Sequence, residues 1–192
     1  MTGALRSLAP AIDAATSLLL DTLGADGRVL AAGNGGSAAE AMHLAEELSG
    51  RYRGDRRAFD ALALPADGTA LTCMANDFGF EHVFARGVEA FGRKGDLLVV
   101  LSSSGNSANI VRACETARRR GLRILALLGG GGGALAGKAD AEVVLPADVA
   151  PQHAQEAHLV VIHLMLDAVE RAFTATAGRN PAHAEQPKGA PQ

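Results

Sequence analysis

The chain has 192 residues, is 48% hydrophobic and carries a net charge of −3, which supplies one sizeable core and excludes a disordered polyelectrolyte. Aromatic residues make up only 4%, with no Trp, and no basic excess exists, so neither base-stacking platforms nor a nucleic-acid surface is expected. Cys73 and Cys114 are far apart and form no CxxC pair; both are expected as buried thiols of a reduced compartment.

The first element in chain order is a helix. Leu5, Leu8, Ile12, Ala15, Leu19 and Leu23 recur every three or four residues. Pro10 kinks it or lies near its start, and Gly24 with Asp26-Gly27 ends it. Asp13 and Asp21 interrupt its apolar stretch, so a signal peptide is not expected. No 18-residue uncharged apolar run occurs; a membrane span is not expected, and the chain is assigned to the cytoplasm. Strand-type apolar runs follow at Val29–Ala32, Ala61–Leu64, Leu97–Leu101, Ile124–Leu128 and Val143–Leu145. Helical patterns cover Ala38–Leu48, Val83–Phe91, Ala108–Arg120 and Gln155–Phe173. Continuous apolar strands alternating with helices predict a parallel sheet covered on both faces, a three-layer α/β/α sandwich. Arg118–Arg120 reads as a solvated helix end. The Gly129–Gly133 run is expected as a flexible loop, with a phosphate cradle opening into Ala134–Ala139 as the alternative. Residues 1–175 are expected to form one domain with an N-terminal helix, and 176–192 are expected to be a disordered tail.

Two segments share one design. Val29–Ala32 runs into Gly33-Asn34-Gly35-Gly36-Ser37 and then a helix; Leu97–Leu101 runs into Ser102-Ser103-Ser104-Gly105-Asn106-Ser107 and then a helix. Glycines let backbone N–H groups converge, hydroxyls add donors, and a helix start adds partial positive charge. That suits a phosphate monoester that must bind and leave. The Walker lysine is missing and neither loop reads GxGxxG, so a nucleoside triphosphate or dinucleotide is not supported. Ordinary N-capping by Ser or Asn is the plainer explanation of each loop taken singly.

His43 and Glu47 stand at i, i+4 on one helical face. Gln155, Glu156, His158 and His163 lie on a later helix. Facing one another, these groups suit either a divalent metal such as zinc or direct proton transfer by a carboxylate and an imidazole. Taken alone, His163 among Val160, Val161, Ile162, Leu164 and Leu166 is an ordinary core histidine. Asn76-Asp77-Phe78-Gly79-Phe80 reads as a polar pair beside an aromatic turn.

Gly33–Ser37, Ala41–Tyr52, Asn76–Phe80, Ser102–Asn109 and Gln155–His158 with His163 occur in one order, and together they resemble the phosphoheptose isomerases of the sugar isomerase (SIS) domain superfamily. The resemblance runs from about residue 5 to residue 173. It implies a five-stranded parallel sheet and a homotetramer with active sites at subunit interfaces. It implies conversion of sedoheptulose 7-phosphate to D-glycero-D-manno-heptose 7-phosphate through an enediol, the first step toward nucleotide-activated heptoses. Ser102, Ser103, Ser104 and Ser107 would bind phosphate. Asn34, Gly35, Gly36, Ser37, Asn76, Asp77, Glu47 and Gln155 would bind the rest of the substrate. His43, Glu47, Gln155 and His163 would hold one Zn²⁺, and Glu47 and His163 would move the proton. Gln155 and His163 are eight apart, roughly 12 Å along an ideal helix, so both reach one ion only by extending toward each other or if the helix begins irregularly. The alternatives are an isomerase for another phosphosugar and a non-catalytic regulator of the replication-initiator-associating type.

Overall fold

A computed structural model of the chain describes residues 7–177. Five strands form one sheet in the order β2-β1-β3-β4-β5: β1 is Val29–Gly33, β2 Ala61–Ala63, β3 Leu97–Ser102, β4 Arg123–Leu128 and β5 Ala141–Val144. Every pairing is parallel. The helices between them are α1 (Ala9–Gly24), α2 (Gly36–Ser49), α3 (Gly68–Phe78), α4 (Val83–Phe91), α5 (Ala108–Arg120) and α6 (Pro151–Ala177).

Strand side chains alternate between faces, and this splits the core in two. Val29, Ala31, Leu97, Val99, Leu101, Leu125 and Leu127 pack under α1, α2 and α6. Leu30, Ala32, Leu98, Val100, Ile124, Ala126 and Leu128 pack under α4 and α5. Both faces are covered, which is why the strands read as unbroken apolar runs. The architecture is the expected three-layer α/β/α sandwich.

α4 and α5 have the bounds read from the sequence. Pro10 sits at the start of α1, where its missing N–H costs nothing. α6 likewise opens on Pro151, four residues before the expected start, and runs to Ala177, two residues past the expected domain end. Leu5 and the tail from 178 onward lie outside the described residues.

Three expectations are corrected. α3 has no counterpart among the expected helices: its apolar stripe, Leu71, Met74 and Ala75, is short and packs only partly buried against the core, and none of its residues is fully buried. Its start is fixed by Asp67, whose carboxylate accepts from the N–H groups of Thr69 and Ala70 at 2.9 and 3.0 Å. Asn76 and Asp77 therefore lie on the last turn of a helix, which Gly79 ends. Cys73, on the same helix, is exposed, while Cys114 is buried. The glycine run is an ordered turn with Gly130, Gly131, Gly132 and Gly133 all at positive φ, packed against the serine loop, rather than a loose loop.

The chain passes from β1 to β2 on one side and to β3 on the other. The crevice at the carboxyl ends of β1 and β3 is the switch point of the sheet, where open α/β sheets bind their ligands. Both Gly/Ser segments open there.

Candidate active site

Each Gly/Ser segment ends at a helix whose first turn has no side-chain cap. Gly35 occupies the cap position of α2 and makes none. Ser107 occupies that of α5, in extended backbone, and its hydroxyl bonds no helix N–H. Ordinary capping thus does not account for either loop. Both helix starts keep their partial positive charge at the crevice; on α2 the Ser37 and Ala38 N–H groups donate to the Asn34 and Gly35 carbonyls at 3.0 Å each.

The serine loop is held by its own polar groups. Ser102 Oγ accepts from Gly105 N at 3.0 Å, and Ser104 Oγ accepts from Asn106 N at 3.2 Å. Both hydroxyls act as acceptors in these bonds, so their protons are free to donate outward. Asn106 Oδ1 accepts from Ala134 N at 2.8 Å. The glycine run backs this loop closely: a Cβ on Gly105, which has φ +65, would stand 2.0 Å from the Gly132 carbonyl oxygen. Backbone lies against backbone there, and only glycine permits it.

The two loops are joined by Asn34 and Asn109, which sequence reasoning does not single out as a pair. Asn34 Nδ2 donates to Asn109 Oδ1 at 2.9 Å and Asn109 Nδ2 to Asn34 Oδ1 at 2.8 Å. Asn109 is buried. The Gln155 amide lies against the start of α2, filling the place a Cβ on Gly36 would take, 2.5 Å from its Nε2. Ser37 is buried beside it on the first turn of α2.

Further along the same two helices, His43 Nε2 meets His163 Nε2 at 3.0 Å. Glu47 Oε1 is 3.9 Å from His43 Nε2. Glu46, absent from the expected set, places Oε1 3.3 Å from His43 Nδ1. A carboxylate beside Nδ1 is the kind of partner that orients a metal-binding histidine. The i, i+3 spacing of His43 and Glu46 is the available signal. His43, Glu46 and Glu47 together are able to hold a metal ion. The donor set suits zinc: two nitrogens on one tetrahedral ion at ~2.0–2.1 Å stand about 3.3 Å apart, close to the His43–His163 separation.

The structure thus brings His163 to His43 at 3.0 Å and Glu47 to His43 at 3.9 Å, while the group able to hold a metal is His43, Glu46 and Glu47. α6 is helical from Pro151 and carries Gln155 to the start of α2, apart from the His43–His163 contact. Asn76 and Asp77 are exposed on α3, and Asn76 Nδ2 donates to Asp77 Oδ1 at 2.8 Å; among the described residues they bond to neither loop.

Two buried titratable groups flank these positions. The carboxylate oxygens of Glu40 and the ring nitrogens of His158 find no partner at hydrogen-bonding geometry. Burial pushes the Glu40 carboxyl up to about 7, with Ser37 opposing. Burial pushes the His158 imidazole down to about 4, with the Leu128 backbone opposing.

A doubly wound sheet with two uncapped helix starts at its switch point defines an anion-binding α/β domain, and residues 1–129 match the family described as SIS domain. A phosphoheptose isomerase from Sodalis glossinidius is 48% identical over 85% of this chain and 84% of its own length. One from Chlorobium phaeovibrioides is 52% identical over 83% and 76%. The solved phosphoheptose isomerase of Neisseria gonorrhoeae superposes with a TM-score of 0.82 at 40% identity, covering 88% of this chain and 90% of that one. Within the SIS domain proteins, the chain belongs to the phosphoheptose isomerase family.

Proposed function

We propose that the protein converts the ketose sedoheptulose 7-phosphate to the aldose D-glycero-D-manno-heptose 7-phosphate. The observation that carries this reading is the pair of uncapped helix starts at the switch point, with His43 and Glu47 on the helix that begins at one of them and His163 of α6 against His43. Ser102, Ser103, Ser104 and Ser107 bind the phosphate through hydroxyls and the N–H groups of the α5 start. Asn34, Gly35, Gly36, Ser37 and Gln155 bind the sugar chain. Glu47 takes the proton from C1 while His163 protonates the oxygen on C2, giving the enediol. Delivery of the proton to C2 and loss of the O1 proton leave the aldehyde at C1.

His43, Glu47 and His163 would hold a zinc ion; Gln155, which lies against the start of α2, would join them as a fourth ligand only by moving from that place. Zinc there would polarise the substrate oxygens and stabilise the charge that develops on them.

The assembly we assign is a homotetramer with Asn76 and Asp77 contributed across a subunit interface. Supporting it, Met42, Leu159, Val160 and Leu164 are exposed on the outer sides of α2 and α6, a grouping that single subunits seldom leave bare. The compartment we assign is the cytoplasm. No helix among the described residues is long and apolar enough to cross a membrane, and both cysteines are free thiols, as in a reducing environment.

The test is an NMR assay with sedoheptulose 7-phosphate on protein as purified, chelated and zinc-restored. Expected are heptose 7-phosphate formation, its loss on chelation and its return with zinc. Turnover that survives thorough chelation would keep the isomerase and remove the metal. No turnover in any state, with the sugar still bound, would overturn the reaction.

A further inference from the structure

We infer that the segment following α2, residues 52–56, is a clamp that sets His163 against Glu47, with Arg56 and Glu170 as its buried anchor. The inference rests on the roles proposed above for Glu47 and His163.

After α2 ends at Ser49 the chain crosses onto α6 and touches it at successive turns. The Tyr52 ring stacks on His163, with centroids 5.9 Å apart and planes at 24°. Arg53 Nη1 pairs with Asp167 Oδ1 at 2.9 Å. Gly54 N donates to Glu170 Oε2 at 2.7 Å. Arg56 Nε donates to Glu170 Oε1 at 2.9 Å. His163, Asp167 and Glu170 follow one another at spacings of four and three, so they share one face of α6. The segment therefore lies along that face, and the residue at its upper end is the proposed proton carrier.

Arg56 also reaches back to α2. Its Nη1 donates to the Leu48 carbonyl at 3.0 Å, and its Nη2 donates to the carbonyl of Glu47 itself. One guanidinium thus joins the last turn of the helix bearing Glu47 to the helix bearing His163. The Arg56 side chain has no exposed surface and that of Glu170 is 10% exposed.

A buried ion pair is a poor device for stability alone, because desolvation offsets most of its attraction. It is a good device for geometry. The guanidinium fork is planar and rigid, and it satisfies four carbonyl or carboxylate groups in fixed directions, those of Glu170, Leu48, Glu47 and Arg57. Glu47 and His163 sit on separate helices, and their separation decides whether a proton passes between them and one substrate carbon. A misplacement of about 1 Å in such a pair costs on the order of 100-fold in rate. Tyr52 adds control of the imidazole plane. The outer Arg53–Asp167 pair is exposed and contributes little. Arg56, Glu170 and Tyr52 are thus positioning residues that touch no reacting atom.

The experiment compares Glu170→Gln, Arg56→Lys and Tyr52→Leu with the wild type and with Glu47→Gln. Glu170→Gln keeps the size of the side chain and an acceptor for Gly54 N but removes the charge; Arg56→Lys keeps the charge and removes the fork. Each is expected to lower kcat by about 10- to 100-fold with KM changed less than about 2-fold. Each is also expected to weaken zinc affinity by about 10-fold in competition with a coloured chelator, as loss of an orienting group does. Tyr52→Phe, which keeps the stacked ring, is expected to recover most of what Tyr52→Leu loses. A lower Tm with unchanged kcat and unchanged zinc affinity would make the clamp merely structural and overturn the inference. Tyr52→Leu leaves the buried pair intact, so its kcat and zinc affinity decide the matter if the Arg56 and Glu170 variants fail to fold. Normal turnover in Glu47→Gln would instead overturn the catalytic roles beneath the clamp, a distinct outcome.

Discussion

Glu40 and His158 are each driven toward the uncharged form by burial, one a carboxyl and one an imidazole, and their effects on stability run in opposite directions. The Glu40 carboxyl ionises at about 7 in the folded chain, against an ordinary value of 4.5. As pH rises through that interval the unfolded chain loses this proton and the folded chain keeps it, so stability falls with rising pH. His158 ionises at about 4 against 6.5. As pH falls through that interval the unfolded imidazole takes a proton that the folded one refuses, so stability falls with falling pH. The windows overlap and the two slopes oppose each other. Glu40→Gln removes one of them and keeps the shape of the side chain. The difference in Tm between variant and wild type is expected to be small near pH 4.5, to grow in favour of the variant up to about pH 7, and to level off above it. A difference that stays flat across pH, measured by scanning fluorimetry in one buffer series, would mean that Glu40 finds a partner in solution. Neither group stands out in this way from the sequence, because burial without a partner is a property of the packed chain.

Elements are legible where the packing imposes a period and illegible where it does not. Strands buried on both faces leave apolar runs, and α5 leaves a one-sided stripe. α3 is harder to read: its stripe, Leu71, Met74 and Ala75, is short and only partly buried, and Asp67 marks its start. The clamp is out of reach for another reason: Arg56 and Glu170 are 114 positions apart, and nothing local couples them. The glycine run reads as a loose loop because its partner, the serine loop, is also distant in sequence. That contact supports a prediction about the loop as a unit. Gly105→Ala would hold an alanine at φ +65 with its Cβ in the Gly132 carbonyl; the left-handed backbone alone costs roughly 1–2 kcal/mol, and the overlap forces the loop to move. The expected result is a KM for the sugar phosphate raised by about 10-fold or more with kcat reduced less, and weaker inhibition by inorganic phosphate. An unchanged KM would mean that the serine loop does not hold the phosphate.

At the scale of the whole molecule, the site occupies the one region where the two layers of chemistry meet. In the proposed reading the switch point supplies the anion seat, and α2 and α6 carry the histidines. The five motifs make the first part legible from sequence, since loops at strand ends keep their order. The second part is legible only as residue types, because which helix faces meet is decided by the fold. The outer surface of α2 and α6 remains half built in a single chain: Leu164 is 45% exposed next to His163, and Met42 is 39% exposed next to His43. Asn76 and Asp77 stand away from both loops. If a second copy covers α2 and α6, it buries those side chains and completes the sugar site together. Leu164→Asp places an unpaired charge in that contact, a cost on the order of several kcal/mol when buried, without touching a proposed ligand. Light scattering after gel filtration is expected to show a tetramer for the wild type and smaller species for the variant. The smaller species are expected to keep the helical content of the wild type and to lose turnover. Full kcat in a dissociated variant would show that each subunit carries a complete site, and that the exposed apolar side chains beside the histidines serve assembly alone.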